Sequence, residues 1–401
     1  MPDKLITVAE ARELVLGAVT PLGPERIPVV DALDRVLAED IVATGDVPPF
    51  AASAMDGYAV QHGPAGRTLA VVGESRAGTP YDGPVSDGEA IRISTGAAVP
   101  EQASAVIKQE DVRANGTQIV TGAPIAPGDN IRPAGEVITA GTTVLRAGTT
   151  LHAAELAVVI AAGAGQVAVA RRPSVRVLCT GDELRDPGDP LRPGEIHNSN
   201  GPMLVALAAH LGAVTTPAEQ LADDRAATQT ALQTAIEDAA VVIVSGGVSV
   251  GPHDHVKPVL GALGVKERFW GVALQPGKPT WFGTRGATLV FGLPGNPVSS
   301  AVTFALFAAP AIAALQGAPP DQSAVQAEAA LGTSVKRNPR REQAIRVRLE
   351  SREGTSVVVP NGPQGSHVVT SLSGADALAL IPRGDGQLEP GTRVKLVALP
   401  R

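Results

Sequence analysis

A chain of 401 residues is too long for one ordinary hydrophobic core and predicts roughly two to four domains. Its 33 Lys and Arg against 40 Asp and Glu leave a net charge of −7, which argues against broad binding of nucleic acid or of an anionic membrane but leaves room for a local anion site. Only 2% of residues are aromatic and 44% are hydrophobic, so the cores are aliphatic; a single cysteine, Cys179, excludes an internal disulfide framework and a cysteine-based zinc site.

Thr7-Val8-Ala9-Glu10 has capping-box spacing and predicts an amphipathic helix that ends before Pro21, not the basic-then-apolar start of a secretory leader. The first 43 residues read as two short helices, the second capped by Asp31, with Pro28 between them. From about 44 to 140, short alternating strands such as 68–72, 90–93 and 105–109 predict a β-rich domain. Residues 141–171 return to turns plus a helix over 153–160. A helical start and a helical return around a β-rich insert suggest that 1–43 and 141–171 form one discontinuous domain.

Over 172–317 the order becomes strand, loop, helix, repeated. Strands are expected at 175–179, near Val214, at 241–244 and at 288–291; helices are expected from Pro202, over 225–238, near Val256, and after Asn296 as cap with Pro297 at the first position. This alternation predicts a doubly wound α/β domain, a parallel sheet with helices on both faces. The longest apolar stretch, 301–315, is short for a membrane span and is interrupted by Pro310, so a cytoplasmic protein without a membrane segment is expected. Residues 318–401 alternate again, at 344–349 and 356–359, and carry eleven Lys or Arg against eight Asp or Glu. A second β-rich domain is the reading there.

Three strand ends carry the chemistry. The valine run 241–244 ends in Ser245-Gly246-Gly247-Val248-Ser249-Val250-Gly251, the strand at 175–179 in Thr180-Gly181-Asp182-Glu183, and the strand at 289–291 in Gly292-Leu293-Pro294-Gly295-Asn296-Pro297. Loops of Gly and Ser expose backbone N–H groups and hydroxyls, and open parallel sheets bind ligands beyond their carboxyl ends. Three such lips in one segment suggest a single anion site. No Gly-Lys-Ser/Thr follows the glycines and no Gly-x-Gly-x-x-Gly opens a helix, which argues against an ordinary nucleoside triphosphatase and a dinucleotide dehydrogenase. Asp182, Glu183, Asp223, Asp224 and Asp254 would repel an anion there unless a hard cation, naturally magnesium, stood between.

Plainer readings stand beside each of these. Gly246-Gly247 reads equally as a tight turn, Asp223 or Asp224 as the cap of the following helix, and His253 and His255 as solvent-facing loop residues. Lys278, held by prolines in Gln275-Pro276-Gly277-Lys278-Pro279, is a phosphate or oxyanion contact or a surface lysine. Cys179, at the end of a buried strand, reads as an inert core thiol. Asp56, in Ser53-Ala54-Met55-Asp56-Gly57-Tyr58-Ala59, and Thr95-Gly96-Ala97 are turns by themselves.

Taken together, Ser53 to Ala59, Arg92 to Ala97, Asn130-Ile131-Arg132, Thr180 to Leu184, Asn198-Ser199-Asn200, Ser245 to Gly251 and Gly292 to Val298 resemble, in order and spacing, the molybdopterin molybdenumtransferases, the MoeA-type proteins that include the E domain of gephyrin. The resemblance implies an elongated helical domain (1–43 and 141–171), an inserted β domain (44–140), a molybdopterin-binding α/β domain (172–317) and a C-terminal β-barrel (318–401). It implies a homodimer whose site lies between the β domain of one subunit and the α/β domain of the other. It implies a magnesium-dependent transferase that takes adenylylated molybdopterin and molybdate to molybdenum cofactor and AMP, with a molybdopterin adenylyltransferase and acceptor molybdoenzymes as partners. Carried over residue by residue, Asp56, Thr95, Glu183 and Asp254 are the expected catalytic positions, and Glu183, Asp254 and Asp56 the metal-side carboxylates. Arg132, Thr180, Gly181, Asp182, Asp224, Ser245, Gly246, Gly247, Ser249, Lys278, Pro294, Pro297 and Ser366 are the expected substrate contacts. The chain departs from the family pattern at Val137, where an aspartate is usual, at Gln275, where a lysine is usual, and at Pro252-His253. These departures keep a second reading open, a divergent paralogue that binds or scaffolds the cofactor without catalysis.

Overall fold

The structure, a computed structural model, describes residues 5–222, 224–248, 255–319, 328–352 and 354–399. The chain forms two compact units, one from the residues up to Glu25, Asp34–Ala38 and Val169 onward, the other from Arg26–Leu33 and Glu39–Ala168.

In the first unit the valine run behaves as its composition dictates. Val241–Ser245 is buried at every residue and lies between two parallel neighbours, Ser174–Thr180 and Thr288–Leu293. Alternate side chains face opposite ways. Val175, Val177, Cys179, Ile243 and Phe291 pack with helices Asn200–His210 and Pro297–Thr303 into one core; Leu178, Val242, Val244 and Val290 pack with Arg225–Asp238 and Val256–Ala262 into another. The doubly wound expectation therefore holds for the central strands.

The sheet is mixed rather than wholly parallel. Its strand order is Val214–Thr215, Ser174–Thr180, Val241–Ser245, Thr288–Leu293, Trp281–Arg285, Lys266–Trp270, with Glu219–Leu221 also paired to Ser174–Thr180. Trp281–Arg285 and Lys266–Trp270 run antiparallel. Gly286 at φ +58° and Ala287 alone join Arg285 to Thr288, too short a link for the crossover a parallel neighbour needs.

Pro310 does not break the apolar helix expected after Asn296. Helix continues from Pro297 to Leu315 through a π-helical stretch, Phe304–Ala308, immediately before the segment that holds Pro310. A wider turn gives the proline ring room and loses fewer hydrogen bonds than a kink would. Among the described residues this is the one helix long and apolar enough to cross a membrane, and 94% of that window is buried inside the chain's own fold.

The first helix, Val8–Leu16, carries the predicted capping box: Thr7 Oγ1 accepts from Glu10 N at 3.2 Å and Glu10 Oε2 accepts from Thr7 N at 2.7 Å. Its Val8, Ala11 and Val15 are buried in the α/β core, so it belongs to that unit, whereas residues 141–168 belong to the other. The second expected helix is absent. After Asp31, its expected cap, the chain turns at Leu33 and Asp34, the latter at φ +57°, and Leu37 then bridges to Val169; a residue held in the left-handed region stops a helix before it can nucleate.

The C-terminal residues form the expected barrel within the same unit. Glu342–Arg352, Thr355–Pro360, Glu328–Leu331, Arg393–Ala398 and Ala377–Ile381 pair in that order, and Ala377–Ile381 closes the ring onto Glu342–Arg352. Val347, Val358, Ala379 and Leu396 fill it.

The second unit is built on a six-stranded sheet in the order Ala105–Lys108, Gly57–Val60, Glu89–Ile93, Thr68–Ser75, Gln118–Thr121, Val112–Asn115. Val60, Leu69, Ala90 and Ile107 cluster on one side, and Ala59, Ile91, Ile93 and Val106 on the other. In the same unit Ile41–Val42 pairs with Thr143–Leu145, and helix Ala153–Ala161 packs on the turn Val29–Asp31.

Candidate active site

Register decides whether three lips make one site. Cys179 pairs with Ser245, and Ser245 with Leu293, so the three strands end in one row and Thr180, Gly246 and Pro294 leave the sheet side by side. The lips then touch. Gly246 N donates to Leu293 O at 3.0 Å, and Asn200 Nδ2 donates to both Ser245 Oγ at 2.9 Å and Gly295 O at 2.7 Å.

Both glycines of the central lip are required by their conformation and by their neighbours. Gly246 has φ +90°, and a Cβ on it would lie 2.9 Å from Thr180 O; Gly247 has φ +64°, and a Cβ there would lie 2.5 Å from Val256 Cγ2. The N–H groups of Gly247 and Val248 make no hydrogen bond among the described residues. Two adjacent amides left open at a positive-φ turn make an anion-binding nest.

The other expected substrate contacts of this unit are spread over several neighbourhoods. Gly181 and Asp182 line a cavity of about 590 Å³ with Arg185, Asp186 and Asp189. Glu183 is exposed and folds back over Gly181, where a Cβ would come 2.5 Å from its Oε2. Ser366, from the barrel, reaches the third lip: its Oγ accepts from Asn296 Nδ2 at 3.1 Å and its carbonyl accepts from Val298 N at 3.2 Å. Asn296 thus starts the helix without a side-chain cap, its amide being engaged by Ser366, while Pro297 takes the first position as expected.

Lys278 has basic neighbours. It lines a separate cavity of about 390 Å³ with Arg340, Arg341 and Asn338, and Gln275 accepts from Asn338 Nδ2 at 2.6 Å. Asp224 caps helix Arg225–Asp238, its Oδ1 accepting from Ala227 N at 2.8 Å, as its capping reading expects. Asp223, Ser249, Pro252, His253 and Asp254 lie outside the described residues, and among those described no group of three His, Cys, Asp or Glu is placed to hold a metal.

The second unit assembles the other set. Gly57 pairs with Ile93, which brings the residues just outside the ladder, Asp56 and Thr95, together. Asp56 Oδ1 accepts from Thr95 N at 2.7 Å and from Thr95 Oγ1 at 3.1 Å, and both residues are exposed. Arg132 pairs through its backbone with Ala52, and its Nε lies 4.0 Å from Glu136 Oε2. Val137 is 71% exposed.

Two residues carry more of the first unit's site than sequence signalled. Asn200 ties two lips together from the start of a helix. Arg346 is fully buried; its Nε donates to Ser371 Oγ at 3.0 Å and its Nη2 to the carbonyls of Pro363 at 3.3 Å and Gly365 at 3.2 Å, while Nη1 has no partner. No carboxylate is among those partners, and burial pulls the guanidinium down to about 10. The loop that carries Ser366 hangs on it. The sequence signal was a cation inside the apolar alternation 344–349. Cys179 is buried, and burial raises its thiol to about 11, which makes it the inert core thiol expected.

Known proteins match this architecture from end to end. Residues 6–163 match the family model described as MoeA N-terminal region (domain I and II), 176–314 the probable molybdopterin binding domain, and 328–399 the MoeA C-terminal region (domain IV). The molybdopterin molybdenumtransferase of Haemophilus influenzae is 35% identical over 401 residues, covering 98% of both chains. That of a Nostoc species is 34% identical over 377 residues, 91% of this chain and 86% of the relative. A crystal structure of the molybdopterin biosynthesis MoeA protein of Pyrococcus horikoshii superimposes with TM-score 0.84 at 31% identity, covering 98% of this chain and all of that one. Matched in order by the family's three models and alike to its members along nearly its whole length, the chain belongs to the MoeA family of molybdopterin molybdenumtransferases.

Proposed function

We infer that the protein works in molybdenum cofactor biosynthesis as a molybdopterin molybdenumtransferase, inserting molybdate into adenylylated molybdopterin with release of AMP. The observation that carries this reading is the open pair of amides at Gly247 and Val248, in a lip aligned with two others and closed to any side chain at Gly246. Such a turn receives a phosphate oxygen, and the hydroxyls of Thr180 and Ser245 border it.

The finer roles are proposals. Glu183, exposed beside Gly181, supplies a hard oxygen donor, and magnesium is ordinarily held by one or two carboxylates together with substrate phosphate oxygens, so the absence of a three-ligand cluster among the described residues is compatible with it. When bound, magnesium would neutralise charge on the departing phosphate. Asp56, fixed by two donors from Thr95, and Arg132 are assigned to the molybdate side. The two residue sets lie in different units of the chain, and we propose a homodimer as the working form.

The test is AMP release from adenylylated molybdopterin by the purified protein, with magnesium, with and without molybdate. Molybdate-dependent release, lost in Asp56→Asn, is expected. Tight nucleotide binding without release would instead favour the cofactor-binding paralogue.

A further inference from the structure

Trp270 has no part in the chemistry above, yet it is tied to the central lip from behind. It ends the edge strand Lys266–Trp270, half-buried, and its indole Nε1 donates to Val248 O at 3.1 Å. Lys257 Nζ lies over the same ring, 4.5 Å from its centre. Val248 is fixed on its other side too: it is 2% exposed, and its Cγ1 fills the space above Gly292, where a Cβ would be 2.4 Å away.

Val248 is therefore anchored by its side chain and by its carbonyl, while its N–H stays open. The preceding residues, Gly246 and Gly247, are glycines at positive φ and have wide conformational freedom of their own. Freedom at two glycines would let the amides wander unless the next residue were pinned. We propose that Trp270 is a positioning residue for the anion cradle: through Val248 it sets the direction of the lip's open amides, with Lys257 stacked on the ring to hold the indole in place. This rests on the cradle reading of Proposed function.

The decisive change removes the donor and keeps the ring. Trp270→Phe does so by mutation; replacing the indole with benzothienylalanine, whose sulfur stands where the N–H was, does so with almost no change of shape. Both are expected to weaken equilibrium binding of adenylylated molybdopterin about five- to tenfold, the worth of one hydrogen bond, and to raise KM similarly with kcat within about twofold. Melting should stay within a few degrees of wild type. The chain's other tryptophan, Trp281, is buried and donates to Glu267 Oε2, so the emission change on nucleotide binding should belong to Trp270 and vanish in Trp270→Phe. Wild-type affinity in the benzothienylalanine protein overturns the proposal, as does loss of stability with affinity unchanged. Failure of the wild type to bind the nucleotide would instead remove the cradle reading itself.

Discussion

Gly246→Ala puts the cradle under the sharpest strain. At φ +90° an L side chain sits outside the relaxed region, which costs about 1–2 kcal/mol, and the new Cβ would meet Thr180 O at 2.9 Å, a backbone atom that cannot swing away. Together these amount to about 2–3 kcal/mol, relieved most easily by tilting the open amides of Gly247 and Val248. A tilt of that worth lowers nucleotide affinity about 30- to 150-fold. Gly286→Ala is the matched control: it has φ +58° in the Arg285–Thr288 turn and nothing within 4 Å of its Cβ, so it should lose about 1 kcal/mol of stability and no affinity. Calorimetric titration with adenylylated molybdopterin and urea unfolding of both variants separate the two effects. If Gly246→Ala binds within twofold of wild type, or if Gly286→Ala weakens binding equally, the lip is not the phosphate receptor.

Other expectations follow from single contacts. Val137→Asp, at a position 71% exposed, should leave stability within about 0.5 kcal/mol; a large rise in AMP turnover at unchanged nucleotide affinity would show that the missing carboxylate limits the wild type, and no rise would count against that idea. Cys179 should resist a thiol reagent until the protein unfolds. Because burial raises its thiol from 9.0 to about 11, the unfolded chain loses that proton first as pH rises, so the contribution is whole below about pH 9 and is lost progressively toward 11. Cys179→Ala should accordingly flatten the alkaline fall in stability by about 2–3 kcal/mol, and parallel wild-type and variant curves would refute the burial account. Thr7→Ala should cost about 1 kcal/mol in urea unfolding by removing the acceptor of Glu10 N, with AMP release unchanged.

Local chemistry made several features legible in the sequence alone. The capping box at Thr7, the helix Arg225–Asp238 with its acidic cap, and the buried valine strand depend on neighbours within a few residues, and the linear pattern contains those neighbours. The motifs also gave the family. What the sequence could not decide is where those residues meet. Asp56 and Thr95 are 39 positions apart and are joined only because Gly57–Val60 pairs with Glu89–Ile93 in one register; a shift of one residue would turn every side chain of the strand to the other face. The same holds for the row of Cys179, Ser245 and Leu293, for the transfer of Ser366 from the barrel to the third lip, and for Lys278, which tertiary packing set beside Arg340 and Arg341. Propensity and capping are fixed by a few adjacent residues, whereas register and inter-element packing depend on burial summed over strands far apart in the chain, and that sum exists only in the folded structure.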